Sequence, residues 1–95
     1  METYRFEWDE RKNQANIRKH GFDFHDAHLL FEGPMMVGSD ESEAHSEERW
    51  LGFGFARDVL VAIAFAMRGS QTVRIISMRK ATKHEQEEFN KAVRN

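Results

Sequence analysis

The chain has 95 residues, with 14 Lys and Arg against 16 Asp and Glu, a formal net charge of −2 and a hydrophobic content of 40%. These values fit one folded domain with a modest core; they exclude a disordered chain and a globally basic nucleic-acid binder, so any such activity must come from a local patch. There is no cysteine and no apolar run long enough to cross a bilayer, and residues 1–5 lead us to expect no secretory leader. A disulfide scaffold and a thiolate metal centre are thereby excluded, and a cytoplasmic setting without membrane association is expected.

The predicted elements begin with a short strand over residues 5–8, closed by Asp9, a good helix N-cap. A helix over 10–20 follows and stops at Gly21, where a positive φ is favoured. Its stripe at helical spacing, Asn13, Asn16, Ile17 and His20, is mostly polar, as in a helix that lies across a surface or lines a cleft. A second helix starts after Asp23, with Phe22 and Ala27 placed as a hydrophobic staple. Phe24, Ala27 and Phe31 form its apolar face with Leu30 beside them, and Gly33-Pro34 ends it. Residues 35–37 read as a short strand, and residues 38–46, polar and acidic, as a mobile loop.

Residues 49–55 alternate in polarity, and 59–67 are almost continuously apolar, as in a central strand covered on both faces. Ala56-Arg57-Asp58 joins them as a tight hairpin, and Arg68-Gly69-Ser70-Gln71 turns the chain into a strand over 72–80. With a period of two, Val73, Ile75, Ser77 and Arg79 share one face of that strand; Arg74, Ile76, Met78 and Lys80 share the other. It reads as an interior strand whose end reaches a wet, charged site. A capping box, Thr82-Lys83-His84-Glu85, opens the last helix, whose Phe89, Ala92 and Val93 can pack on the sheet. The whole is one α+β domain over 1–95, with two N-terminal helices packed on an antiparallel meander and a C-terminal helix.

Few patterns carry chemistry. His25 and His28 are three apart on a helix with Asp26 nearby, but a third ligand at a recognisable spacing is missing, so no metal or other cofactor is expected. Gly52-Phe53-Gly54 lies inside a strand with no lysine after it, unlike a phosphate loop. What remains is a set of cations near element ends: Lys19 and His20 closing the first helix, Arg57 in a hairpin, Arg68 at a strand exit, and Arg79 and Lys80 before the last helix. Glu47 and Glu48 stand at the start of the third strand. Such a group can bind a phosphodiester and stabilise a phosphorane as a ribose 2′-OH attacks it. Arginine is a poor proton donor, so the proton carrier has to be His20, a glutamate or water. Ordinary surface ion pairs would account for the same cations.

Several short motifs follow one pattern: Phe6-Glu7-Trp8-Asp9, Lys12-Asn13, Asn16, Lys19-His20-Gly21 and Phe24, then Phe31 and Pro34. Glu47-Glu48-Arg49, Arg57, Arg68, Arg74-Ile75-Ile76-Ser77-Met78-Arg79, Ala81-Thr82 and Glu85 continue it. Together they resemble the BrnT family of toxins from bacterial toxin–antitoxin pairs. The resemblance implies a RelE-like α+β fold and a ribonuclease that arrests translation. It also implies a BrnA-like ribbon-helix-helix antitoxin, with operator DNA reached only through that partner. Matching positions point to Lys19, His20, Glu48, Arg57, Arg68 and Arg79 as the site, with Lys80 beside Arg79. The chain departs from the family at Phe65-Ala66-Met67, where a Tyr or His followed by Thr-Glu is usual, and at Phe89, where a tyrosine is common. The departure supports an alternative, a non-enzymatic subunit that binds its partner in a repressor complex.

Overall fold

The computed structural model describes residues 3–40 and 48–93. Strand β1 (Arg5–Glu7) leads into helix α1 (Glu10–His20), and a 3-10 turn (Phe24–Asp26) runs into helix α2 (Ala27–Glu32). Strands β2 (Met36–Ser39), β3 (Trp50–Ala56), β4 (Val59–Arg68) and β5 (Thr72–Lys80) follow, then helix α3 (Lys83–Val93). The five strands make one sheet in the order β1-β5-β4-β3-β2. β3, β4 and β5 form the antiparallel meander that their two short connections imply, with β4 at its centre. β1 pairs parallel to β5, so the sheet is mixed. Nothing local foretold that pairing, because it joins residues almost seventy positions apart. Gly38 and Ser39, expected in a loop, belong to β2, where they pair with Leu51 and Trp50. The rest of that acidic stretch, residues 41–47, lies outside the described residues.

Local chemistry places the helix ends. Asp9 accepts hydrogen bonds from the backbone N–H of Arg11 and Lys12, and Gly21 closes α1 at φ 81° with its N–H donating to Ile17. Thr82 and Glu85 cap α3 reciprocally: Glu85 N donates to Thr82 Oγ1, and Thr82 N donates to Glu85 Oε1. The two faces of the sheet have separate cores. Phe24, Ala27 and Leu30 pack on Val61, Ile63, Phe65, Val73, Ile75 and Met78 under α1 and α2. On the other face Phe89 of α3 packs on Phe53, Leu60, Ala62 and Ala81. At Gly54 a Cβ would sit 2.9 Å from Leu30 O, so glycine is what lets α2 lie against β3.

Two observations overturn the simple reading of β5. Ala64 pairs with Ser77 but Phe65 with Ile75, so Ile76 is a β-bulge and the side-chain parity flips there. Val73, Ile75 and Met78 therefore share the face under α1 and α2 with Ile63 and Phe65. Arg74, Ser77 and Arg79 share the other, opposite Ala66, Ala64 and Ala62. Without the bulge, Arg74 and Arg79 would point to opposite sides. The second observation concerns the polar stripe of α1, whose Asn13 and Asn16 are buried. β1 covers β5 only as far as Arg74, leaving the rest of that outer edge without a strand. Asn16 fills the gap: Oδ1 accepts from Met78 N (3.1 Å), while Nδ2 donates to Met78 O (3.0 Å) and Phe22 O (2.9 Å). A primary amide presents an N–H donor beside a C=O acceptor, as a strand residue does, with a second N–H to spare, so it can seal an edge. Asn13 does similar work on the turn after α1, accepting from Phe24 N and donating to Asp23.

Candidate nucleic-acid interface

The expected cations do not meet at one point. Arg57 occupies the β3–β4 turn and Arg68 the far end of β4. The ten residues of β4 put the two about 30 Å apart. A single phosphate cannot touch both, and the expected convergence of Arg57, Arg68 and Arg79 is replaced by a separation along the central strand. Lys80 lies toward the Arg57 end, near Asp58 and Leu60. Glu48 precedes β3 at the Arg68 end, two strands from β5. Lys19 and His20 sit beside the bulge of β5, in a cleft between α1 and the sheet edge.

The arginines are also occupied. Arg57 pairs with Asp26 (3.3 Å), and Arg68 and Arg74 share Glu7 at 3.0 and 3.4 Å. Arg79 holds Glu85 with both terminal nitrogens, at 2.8 and 2.9 Å. That fork is half-buried, and Arg79 holds the Glu85 carboxyl down at about 2 from its ordinary 4.5, with help from the Thr82 N–H. Arg79 thus ties α3 to β5 through a glutamate that also caps the helix. Arg57 adds a backbone peculiarity, a φ of 58° that side chains other than glycine adopt at a cost of about 1 kcal/mol.

The α1–β5 cleft is different. It encloses about 250 Å³ and is lined by Lys12, Asn16, Lys19, His20, Ile76 and Ser77. Lys12, Asn16 and Lys19 recur at i, i+4 and i+7, so one stripe of α1 anchors the sheet edge at its middle and carries a lysine at either side. Among the described residues no carboxylate is paired with Lys12, Lys19 or His20. Ser77 lies between Arg74 and Arg79 on the face it shares with them, and it also lines this cleft. Sequence reasoning had not singled out Lys12 or Ser77 as site residues. The lysine spacing was a usable signal; the bulge that turns Ser77 was not. Arg49 adds a further cation at the start of β3, its buried Nε without a hydrogen-bond partner among the described residues.

Around His25 and His28 no cluster of three potential metal ligands occurs among the described residues. Each imidazole is instead held through Nδ1 by a carboxylate at 2.7 Å, His25 by Asp23 and His28 by Glu32. The bond to Asp23 is the main reason that His25 keeps its proton above the usual histidine range.

A mixed five-stranded sheet with helices on both faces and a cationic cleft at a bulged edge defines a small α+β domain. The family model for the ribonuclease toxin BrnT of type II toxin–antitoxin systems matches residues 8–85. The chain belongs to the BrnT family. It is similar to the Brucella abortus ribonuclease toxin BrnT, known from a 1.1 Å crystal structure, at 31% identity and a TM-score of 0.63 over 85% of this chain and 100% of that one. No curated protein matches the chain. The family implies an antitoxin partner, and no helix among the described residues is long and apolar enough to cross a membrane.

Proposed function

We propose that the chain is a metal-independent endoribonuclease toxin of RelE-like descent, cytoplasmic, that arrests translation and is neutralised by a BrnA-like ribbon-helix-helix antitoxin. The observation that carries this reading is the α1–β5 cleft, where Lys12, Lys19 and His20 stand together with no carboxylate among the described residues paired to them. Lysines so placed hold a phosphodiester and stabilise the charge that builds on phosphorus. A proton must leave the attacking 2′-OH and another must reach the departing 5′-oxygen; an imidazole, which can donate or accept a proton, suits either step. In this scheme His20 carries the proton, Lys12 and Lys19 hold the phosphate, and Arg79 acts mainly by positioning α3. Arg57, Arg68 and Lys80 lie too far apart to share that phosphate, and extend the RNA path at most.

The test is expression of the chain without its antitoxin, followed by purification and RNA cleavage with and without a chelator. Growth arrest and chelator-insensitive cleavage are expected, with cleavage lowered on the order of 10²–10⁴-fold in His20→Gln. Equal cleavage by wild type and His20→Gln would move the proton carrier elsewhere, Glu48 being next. The second reading, a non-enzymatic partner-binding subunit, is favoured by the ion pairing of Arg57, Arg68, Arg74 and Arg79. It would be adopted if the wild-type chain neither cleaves RNA nor slows growth.

A further inference from the structure

Between β1 and the segment of the 3-10 turn and α2 lies a larger cleft of about 530 Å³, lined among others by Tyr4, Trp8, Phe31, His25, His28 and Glu32. We propose that this cleft is a nucleobase subsite, which takes one unstacked base of a single-stranded RNA against its aromatic walls and offers the two imidazoles to the base edge. The inference deepens the ribonuclease reading and rests on it for the RNA. The rings come from separate elements and brace one another: Phe31 meets Tyr4 at 5.5 Å and Phe6 at 5.4 Å, and Trp8 meets the His25 ring edge-on at 4.7 Å. Preset aromatic faces are what a splayed-out base stacks on.

Both imidazoles are anchored through Nδ1, which leaves each Nε2 to meet a ligand. The charge around the cleft identifies the ligand further. Among the described residues no lysine or arginine lines it, Glu32 does, and Asp23, Glu10 and Asp26 all act on His25. A phosphate is repelled by such a rim, whereas a neutral heteroaromatic ring is not. Phosphate binding and base binding thus fall to two clefts that share no lining residue.

The probe is adenosine, which carries a base and no phosphate, titrated into the isotopically labelled chain with the Trp8 indole N–H as reporter; ribose 5-phosphate is the comparison. Adenosine is expected to shift Trp8, Tyr4 and His25 resonances, and ribose 5-phosphate to leave them in place. Tyr4 and His25 are exposed, so Tyr4→Ala and His25→Ala keep the fold. Each should weaken binding of adenosine, and of an uncleavable 2′-deoxy oligonucleotide, by about 5- to 100-fold without changing the salt slope. Lys19→Ala should instead flatten that slope. If adenosine shifts nothing in the cleft, the subsite is refuted even if RNA still binds through Lys12 and Lys19. If adenosine binds there while the chain neither binds nor cleaves RNA, the nucleoside site stands and the ribonuclease reading falls. Should Tyr4→Ala and His25→Ala weaken only capture of the antitoxin, the cleft is a protein-docking surface and the proposal fails.

Discussion

The sheet carries positive charge in two settings. At its ends and on the α3 face, Arg57, Arg68, Arg74 and Arg79 each meet a carboxylate. At the free edge of β5, Lys12, Lys19 and His20 line a cleft with no carboxylate paired to them among the described residues. The first set fastens elements together: Asp26 to the β3–β4 turn, β1 to the β4–β5 end, α3 to β5. The second set fastens nothing, and its charge is available to an anion. A count of cations near element ends treats both sets alike. What separates them is where the acidic residues fall, and that is decided by tertiary structure.

The comparison breaks most severely at Asn16, because the cleft exists only while α1 is clamped to the bulged edge. Asn16→Leu keeps the branched shape and removes three hydrogen bonds, two of them buried, leaving Met78 N and O without those partners at the strand edge. A loss of about 2–4 kcal/mol of stability is expected in chemical denaturation, together with lost RNA binding. A change below about 0.5 kcal/mol would mean that packing alone holds α1 in place.

The arginine side is sharpened by pH. Because the folded-state pKa of Glu85 is lowered to about 2 from 4.5, its contribution is fully present above 4.5 and is lost as pH falls through about 2. Partial exposure of Arg79 screens the pair, so the loss should be about 1–3 kcal/mol. Glu85→Gln should be less stable than wild type at neutral pH and show less loss on acidification. An acid limb unchanged in that variant would assign the loss to other carboxylates.

Smaller still is Arg57. Its pair with Asp26 is solvent-exposed, and its positive φ is strained for a side chain. Arg57→Gly relieves that strain and should be neutral or stabilising by about 0.5–1 kcal/mol, whereas Arg57→Ala should cost little through the lost ion pair. RNA cleavage by either variant should stay close to wild type.

Much of the fold was legible because its signals are local. Asp9, Gly21 and the Thr82–Glu85 box mark helix ends within four residues of sequence, and the turns at Arg57 and Gly69 force neighbouring strands. Three features were not legible, and each depends on residues distant in sequence. The parallel partnership of β1 with β5 has no turn to announce it. The bulge at Ile76 reverses the face of every residue after it, so strict alternation put Arg79 beside Val73 and Ile75 when it belongs with Arg74 and Ser77. The buried amides of Asn13 and Asn16 look like a solvated stripe until an unpaired strand edge is placed against them. For the site, Lys19 and His20 were legible as a helix-end pair. Their isolation from carboxylates was not, nor was the engagement of the four arginines.

The measurement that bears most directly on this division is the salt dependence of binding to an uncleavable single-stranded oligonucleotide, compared between two double variants. Lys12→Ala with Lys19→Ala should weaken binding and reduce the slope of log K against log salt by about 1.4, two single-strand phosphate contacts at about 0.7 each. Arg57→Ala with Arg68→Ala removes the same formal charge and should change the slope by much less. Equal slopes for the two variants, or a larger change in the arginine pair, would contradict the assignment of the RNA backbone to the α1–β5 cleft.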